Sequence, residues 1–381
     1  MSHHQTDTHN FRFYDNREKY LLFVTTCSEK QAIANRISLE LDLIEPTPPA
    51  LRLFDAGMGD ASVLTRVMRD LHCRYPAIPF LIVTKEISLE DVRLSFEKMG
   101  DRFFEHPQTV LVVTNMKYAE APTLTPGKGA RPLKRWDIAL KGNTAHNFDK
   151  QLQELQDILA EGWTVETSET TGNPLYVNPS VLVIYREDHQ FSLSSVIPPE
   201  EGMRPDYDLI LCAQPYRARS SAVKKVRYVL EPLAKSLGKG GRMVVIQSTG
   251  YDPGMEIVRQ IWPDENPFQT PRNDLIETMK QRLGESTPDL VYSGYTSEKS
   301  LFQYHLHTVP EAMESKSNIG TSILLAAWNA AVYVAQIEDE RVEKVMSSGR
   351  YLDATRKVLK QHGGLWFLDE SFVVSREREK G

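Results

Sequence analysis

Short apolar runs alternate along this chain with longer segments whose apolar residues recur every three to four positions. The runs fall at Leu51–Asp55, Pro79–Glu86, Thr109–Asn115, Val181–Tyr185, Asp206–Tyr216 and Gly238–Ile246. Near-continuous apolar runs mark strands buried on both faces. Ser62–Leu71, Glu90–Met99 and Ala222–Leu237 carry helical spacing between them. Strand and helix therefore alternate, which predicts a doubly wound, mostly parallel α/β sheet. A leader precedes the first run. Tyr20–Val24 is apolar, and Ser28 with Gln31 three residues on predicts a capping box opening a helix through Ile33, Ile37 and Leu41. Pro46, Pro48 and Pro49 end that helix. Such a leader can lie over the mouth of a site.

Residues 119–205 break the rhythm. The block opens with Pro122, Pro126, Gly127, Gly129 and Pro132, then predicts one helix on Phe148, Leu152, Leu155 and Leu159. With the strand at Val181–Tyr185 and the closing Pro198-Pro199, it reads as an inserted α/β subdomain. Beyond it, Asp252–Trp262 and Asn273–Leu283 predict helices, and Leu290–Tyr295 and Leu301–Thr308 strands. Ser322–Glu340 and Arg341–Gln361 predict helices, and Leu365–Leu368 with Ser371–Val374 a closing strand or pair of strands. The resulting division is a leader over 1–50, a core over 51–118 and 206–310, an insertion over 119–205, and a C-terminal helical segment with its closing strand over 311–381.

The first run ends in Asp55-Ala56-Gly57-Met58-Gly59-Asp60-Ala61. An acid, two alternate glycines and a small residue between strand and helix form a tight turn, bare enough for a ligand to approach the backbone. The second run ends in Glu86, 31 residues after Asp55. A carboxylate there can accept from the two hydroxyls of a ribose; it can equally cap the helix at Ser88. Asn115, ending the third run, would stand beside an adenine edge. In a rival reading 181–187 is the third strand and Asp188 takes that place. Gln214, Pro215 and Tyr216 follow strand four and face the crevice beyond the strand ends.

Composition narrows the partners. The chain has 381 residues and a formal net charge of −6. A mildly acidic balance disfavours a nucleic-acid backbone, and the Lys and Arg cluster of 217–227 reads as a solvated helix face. The 3 cysteines, Cys27, Cys73 and Cys212, lack metal-site spacing and suit a reducing cytoplasm. Met1–Asn10 has no apolar signal core, and its His3, His4 and His9 read as a polar tail. Thr321–Ile337 is the most apolar stretch; it is too short to span a membrane and reads as a buried helix.

The ordered set of strand, D-x-G-x-G loop, acid-ended second strand, Tyr207-Asp208-Leu209-Ile210 and Leu237-Gly238-Lys239-Gly240-Gly241-Arg242 resembles the class I S-adenosylmethionine-dependent methyltransferases over roughly residues 50–310. Ala61 departs from the third glycine of many members. Within that superfamily the chain is most similar to the histamine N-methyltransferase group, through the leader Tyr20–Gln31, through Gln214, and through Ser248–Trp262 with Phe268. The resemblance implies a Rossmann-like sheet, S-adenosylmethionine as cofactor and a small-molecule acceptor, with no nucleic-acid or membrane partner. It implies cofactor contacts at Asp55, Gly57, Gly59, Glu86, Asp91, Asn115 and Ala213. Glu29, Gln214 and Asp369 take the acceptor-binding and catalytic positions. The insertion has no counterpart.

Methyl transfer from a sulfonium is an in-line displacement that asks for alignment and a free lone pair. A carboxylate such as Glu29 or Asp369 can take up or orient the proton of an amine or imidazole acceptor. Tyr20, Tyr118 and Trp366 form a candidate aromatic wall over a cation. His305 and His307 share one strand face, a weak metal signal. Two other readings stand beside this one: methylation at oxygen, and a NAD-binding oxidoreductase on the same kind of loop.

Overall fold

The protein is described from a computed structural model covering residues 17–167, 174–294, 296–307 and 320–378. His3, His4, His9 and the end of the run at Thr308 lie outside the described residues. Strands β1 (Leu51–Asp55), β2 (Phe80–Lys85) and β3 (Thr109–Thr114) are joined by helices and pair in parallel. Strands β4 (Lys134–Leu140), β5 (Val165–Thr167), β6 (Pro174–Tyr176) and β7 (Ser180–Arg186) come from the 119–205 block. Then come β8 (Tyr207–Ala213), β9 (Leu237–Ser248), β10 (Leu290–Ser293), β11 (Leu301–His305) and β12 (Trp366–Arg376). The main sheet runs β10-β12-β9-β8-β1-β2-β3-β7-β4, with β11 also on β12, making 10 strands. Its direction of winding reverses between β1 and β8, and such a switch point opens a crevice at the carboxyl ends of the strands.

Alternate residues serve opposite faces. Leu51, Leu53, Leu209 and Leu211 pack into one apolar layer, and Phe54, Ile210, Cys212 and Val245 into the other. That is why the runs read as continuous: both faces are covered by helices. A third layer joins the leader helix α1 (Arg17–Thr26), through Phe23 and Cys27, to helices Pro253–Ile261, Thr321–Val334 and Arg350–His362. The leader and the C-terminal helices thus form one roof over the crevice. Asn329 Nδ2 donates to the Lys19 carbonyl at 3.0 Å, and Lys19 pairs with Asp339.

Several elements differ from expectation. The 119–205 block adds to the main sheet: β7 pairs antiparallel with β3 and parallel with β4. Its helix breaks into Ala145–Gln153 and Gln156–Gly162. Because β7 lies outside β3, the rival reading of 181–187 as the third parallel strand is excluded. The closing segment is one strand, β12, antiparallel to β9, so Asp369 lies within a strand rather than in a turn. The capping box is absent. Ser28 Oγ accepts from the His305 amide at 2.9 Å, because the bridge between the leader and β11 competes for the hydroxyl. Thr321–Val334 is buried on one face, and among the described residues no helix is long and apolar enough to cross a membrane. The three cysteines are free.

Candidate functional site

The crevice holds a cavity of about 320 Å³ at the ends of β1, β2 and β8. Its floor is the loop after β1, and its roof comes from Tyr20, Glu29, Lys30, Tyr333 and Val334. Gly57 and Gly59 have different reasons to be glycine. Gly59 has φ +54°, and a Cβ there would meet the Tyr20 hydroxyl oxygen at 2.9 Å. Gly57 lies outside the left-handed region, and a Cβ would find nothing within 4 Å. The fold therefore makes no demand for glycine at 57; the open space beside it is the cavity itself. Ala61 adopts φ 61°, left-handed backbone natural to glycine. Its departure from the family pattern is thus one of backbone strain rather than of size.

Carboxylates knit the loop together. Asp55 Oδ1 accepts from the Gly57 amide at 3.1 Å, and Glu86 Oε2 from the Gly59 amide at 2.7 Å. Glu86 Oε1 also takes the amides of Ile87 and Ser88. Both readings of Glu86 thus have a structural basis: it orders the turn before the next helix, and it lines the cavity. Burial pushes Asp55 up to about 7, the Gly57 amide opposing and the Glu86 charge adding to the rise. Asp91 lines the cavity from the first turn of Leu89–Phe96, whose cap is Ser88. Ala213 and Gln214 close the side belonging to β8.

Asn115 does not reach the cavity. Its amide donates to the carbonyls of Gly162 and Asn178 at 2.9 and 3.1 Å and accepts from the Ser180 amide at 2.9 Å. Both polar atoms of the side chain are spent fastening the end of β3 to the end of the helix Gln156–Gly162 and to the start of β7. Asp188, the rival, pairs with Arg186 at the other end of β7 and is also outside the cavity. Neither residue lines the cavity.

At the opposite end the chain brings together four residues, from three regions far apart in sequence. Gln214 Nε2 lies 3.5 Å from Glu29 Oε1, 3.4 Å from Asp369 Oδ2 and 3.1 Å from Ser248 Oγ. Glu29 Oε2 is 2.8 Å from Lys30 Nζ. Ser248 Oγ donates to Asp369 Oδ1 at 2.9 Å. Asp369 is fully buried, and burial together with the Glu29 charge raises it to about 8 against the hydrogen bonds of Ser248 and Gln214. Gln214 itself is held at φ 49°.

Of the expected aromatic wall, Tyr20 and Tyr118 line the cavity and Trp366 does not; Trp366 packs edge-on to His362, and Tyr333 stands in the roof instead. Two lysines escaped the sequence reading. Lys85 ends β2 buried beside the Tyr118 ring, 4.9 Å from its centroid, and burial lowers it to about 8 although Glu86 opposes. Burial works against the charge of Lys30 too, but Glu29 and its other anionic neighbours outweigh it and the group is raised. The one signal for Lys85 was a charge closing an apolar run directly before an acid. His305 and His307 are exposed, and among the described residues no group of three or more potential metal ligands gathers.

No family model and no curated protein matches the chain. Solved structures give distant likenesses. A putative sarcosine dimethylglycine methyltransferase from Galdieria sulphuraria is 10% identical with a TM-score of 0.36, over 92% of this chain and 85% of that one. A geranyl diphosphate methyltransferase in complex with its substrate and sinefungin is 11% identical with a TM-score of 0.34, over 91% of this chain and 78% of that one. PKMT2 from Rickettsia typhi, in complex with S-adenosylhomocysteine, is 12% identical with a TM-score of 0.30, over 91% of this chain and 54% of that one. Likenesses at this level carry no functional weight. The α/β assignment stands on the strand order.

Proposed function

We propose that the protein is an S-adenosylmethionine-dependent methyltransferase acting on a small molecule at an amine or imidazole nitrogen. The observation that carries the reading is one cavity with two unlike ends. A glycine that the fold does not need opens one end; Glu29 and Gln214 line the other, and Asp369 stands fully buried behind Gln214, outside the cavity lining. The residues fit a sulfonium nucleoside. Carboxylates at 55, 86 and 91 face the cavity, and Glu86 retains acceptor capacity for ribose hydroxyls.

Bound S-adenosylmethionine supplies an electrophilic methyl group: its S–C bond breaks as the acceptor's N–C bond forms, leaving a neutral thioether. The chain's own task is to place and neutralise the acceptor. Gln214 offers its amide to orient it, and Glu29, paired with Lys30, contributes fixed negative charge. Asp369, ionised above about 8, lies behind Gln214 and steadies its amide, with Ser248 holding the carboxylate in place; Glu29, which lines the cavity, is the acid placed to take the proton that the nitrogen must lose. Orientation of this kind is worth on the order of 7–11 kcal/mol in favourable systems.

Calorimetric titration with S-adenosylhomocysteine and with NADH tests the cofactor. Binding of the first and not the second is expected, and the reverse overturns the reading in favour of an oxidoreductase. Transfer of a labelled methyl group to amines rather than to alcohols or phenols tests the acceptor atom.

A further inference from the structure

Among the described residues two lysines line the main cavity, and the fold treats them oppositely. Lys30 has its counter-ion in place: Glu29 Oε2 is 2.8 Å from its Nζ, and the Tyr20 ring centroid is 5.4 Å away. Lys85 has none. It ends β2, is only 7% exposed and lines the same cavity of about 320 Å³. Among the described residues its Nζ makes no hydrogen bond, and no carboxylate comes within 4.0 Å of it. The neighbouring Glu86 is turned to the loop, where its two oxygens accept from the amides of Gly59, Ile87 and Ser88.

What the Lys85 ammonium meets is the Tyr118 ring, 4.9 Å from Nζ to the centroid. That ring is fixed, because its hydroxyl lies 2.8 and 3.1 Å from the carbonyls of Ala56 and Pro215. A ring face offsets only part of the cost of taking an ammonium out of water. Burial accordingly lowers Lys85 to about 8, with Glu86 opposing. A cation that folding leaves unpaired at a cavity wall is a place for an anion.

We propose that Lys85 is the anion anchor of the cavity and binds a carboxylate carried by the ligand. This rests on the methyltransferase reading, under which a carboxylate has two sources: the amino-acid end of the cofactor and an acid-bearing acceptor. The rest of the charged wall is Glu29, Asp55, Asp60, Glu86 and Asp91, which suits sulfonium and ammonium groups. Lys30 is held by Glu29, so Lys85 is the lining cation left to take negative charge. A ligand lacking the carboxylate leaves that ammonium buried and unanswered, which gives the site discrimination as well as affinity.

Calorimetric titration of the whole protein tests this in two arms. The first compares S-adenosylhomocysteine with its decarboxylated analogue, which keeps the amine, the thioether and the nucleoside. The second, at saturating S-adenosylhomocysteine, compares histidine with histamine and phenylalanine with phenethylamine. In one arm the acid-bearing member is expected to bind about tenfold tighter or better, as a charged hydrogen bond in a buried site implies. The arm that shows the preference names the source. Lys85→Met brings that ratio to about one, and Lys85→Arg restores at least part of it. Lys85→Met is also expected to melt no lower than the wild type, because it removes an unpaired buried charge and keeps the apolar stem. A ratio near one in both arms, a ratio that Lys85→Met leaves unchanged, or a clear drop in the melting temperature of that variant overturns the anchor. If S-adenosylhomocysteine itself fails to bind the wild type, the methyltransferase reading falls and the anchor with it; if it binds and the ratios stay flat, the anchor alone falls.

Discussion

The two ends of the cavity are built by different means. At the loop end, hydrogen bonds join residues close in sequence: Asp55 to Gly57, Glu86 to Gly59 across 27 positions, Lys98 to Asp60 across 38. The unit of β1, its helix and β2, with the segment directly after it, supplies them. At the acceptor end the contacts span 185 positions from Glu29 to Gln214, 155 from Gln214 to Asp369 and 121 from Ser248 to Asp369. The leader, β8, β9 and β12 must all be in register before that end exists. The loop end is a local motif that any chain of this pattern can fold. The acceptor end is a property of the finished tertiary structure, and carries what is particular to this protein.

Breaking the loop end gives the largest effect. Gly57→Arg is expected to abolish S-adenosylhomocysteine binding by filling the cavity, while thermal melting shifts little, because the new side chain enters open space. Unchanged affinity would detach the loop from the ligand.

Asp369→Asn attacks the other end. Turnover is expected to fall about ten- to a hundredfold, as the loss of a charged hydrogen bond to Gln214 implies, with cofactor affinity kept. The wild-type rate rises with pH through about 8, and the variant loses that limb. Stability moves oppositely. The folded state raises this carboxyl above its ordinary value of 3.8, so its contribution is full below that value and is lost as pH climbs toward about 8. Denaturant midpoints across this window decline in the wild type, and the variant lacks that part of the decline.

Glu29→Gln is smaller, about tenfold in turnover, since it removes one charge-assisted contact and keeps the shape. An unaltered rate would leave Glu29 as the partner of Lys30 alone. Asn115→Ala sharpens the contrast from outside the cavity: it costs about 2 kcal/mol or more of stability by stranding buried backbone groups, and leaves cofactor affinity intact. Loss of affinity at constant stability would return Asn115 to the adenine. Ala61→Gly should be nearly silent in denaturant melts. Relief of left-handed strain, about 1 kcal/mol, is offset by the lost methyl burial of about 0.8 kcal/mol.

Much of this molecule was written in one dimension. The apolar runs fixed the strands because both sheet faces are covered, and the spacing of Asp55, Gly57, Gly59 and Glu86 placed the loop because those residues act within one supersecondary unit. Asn115 was ambiguous in sequence, because a polar residue at a strand end faces either a ligand or a neighbouring strand. Only the antiparallel return of β7 assigned it to the strand. Lys225 looked solvated because a helix's buried face depends on what packs against it. Folding alone put Glu29, Gln214, Ser248 and Asp369 within reach of one another and buried Lys225, because charge pairing and burial are set by contacts between elements far apart along the chain.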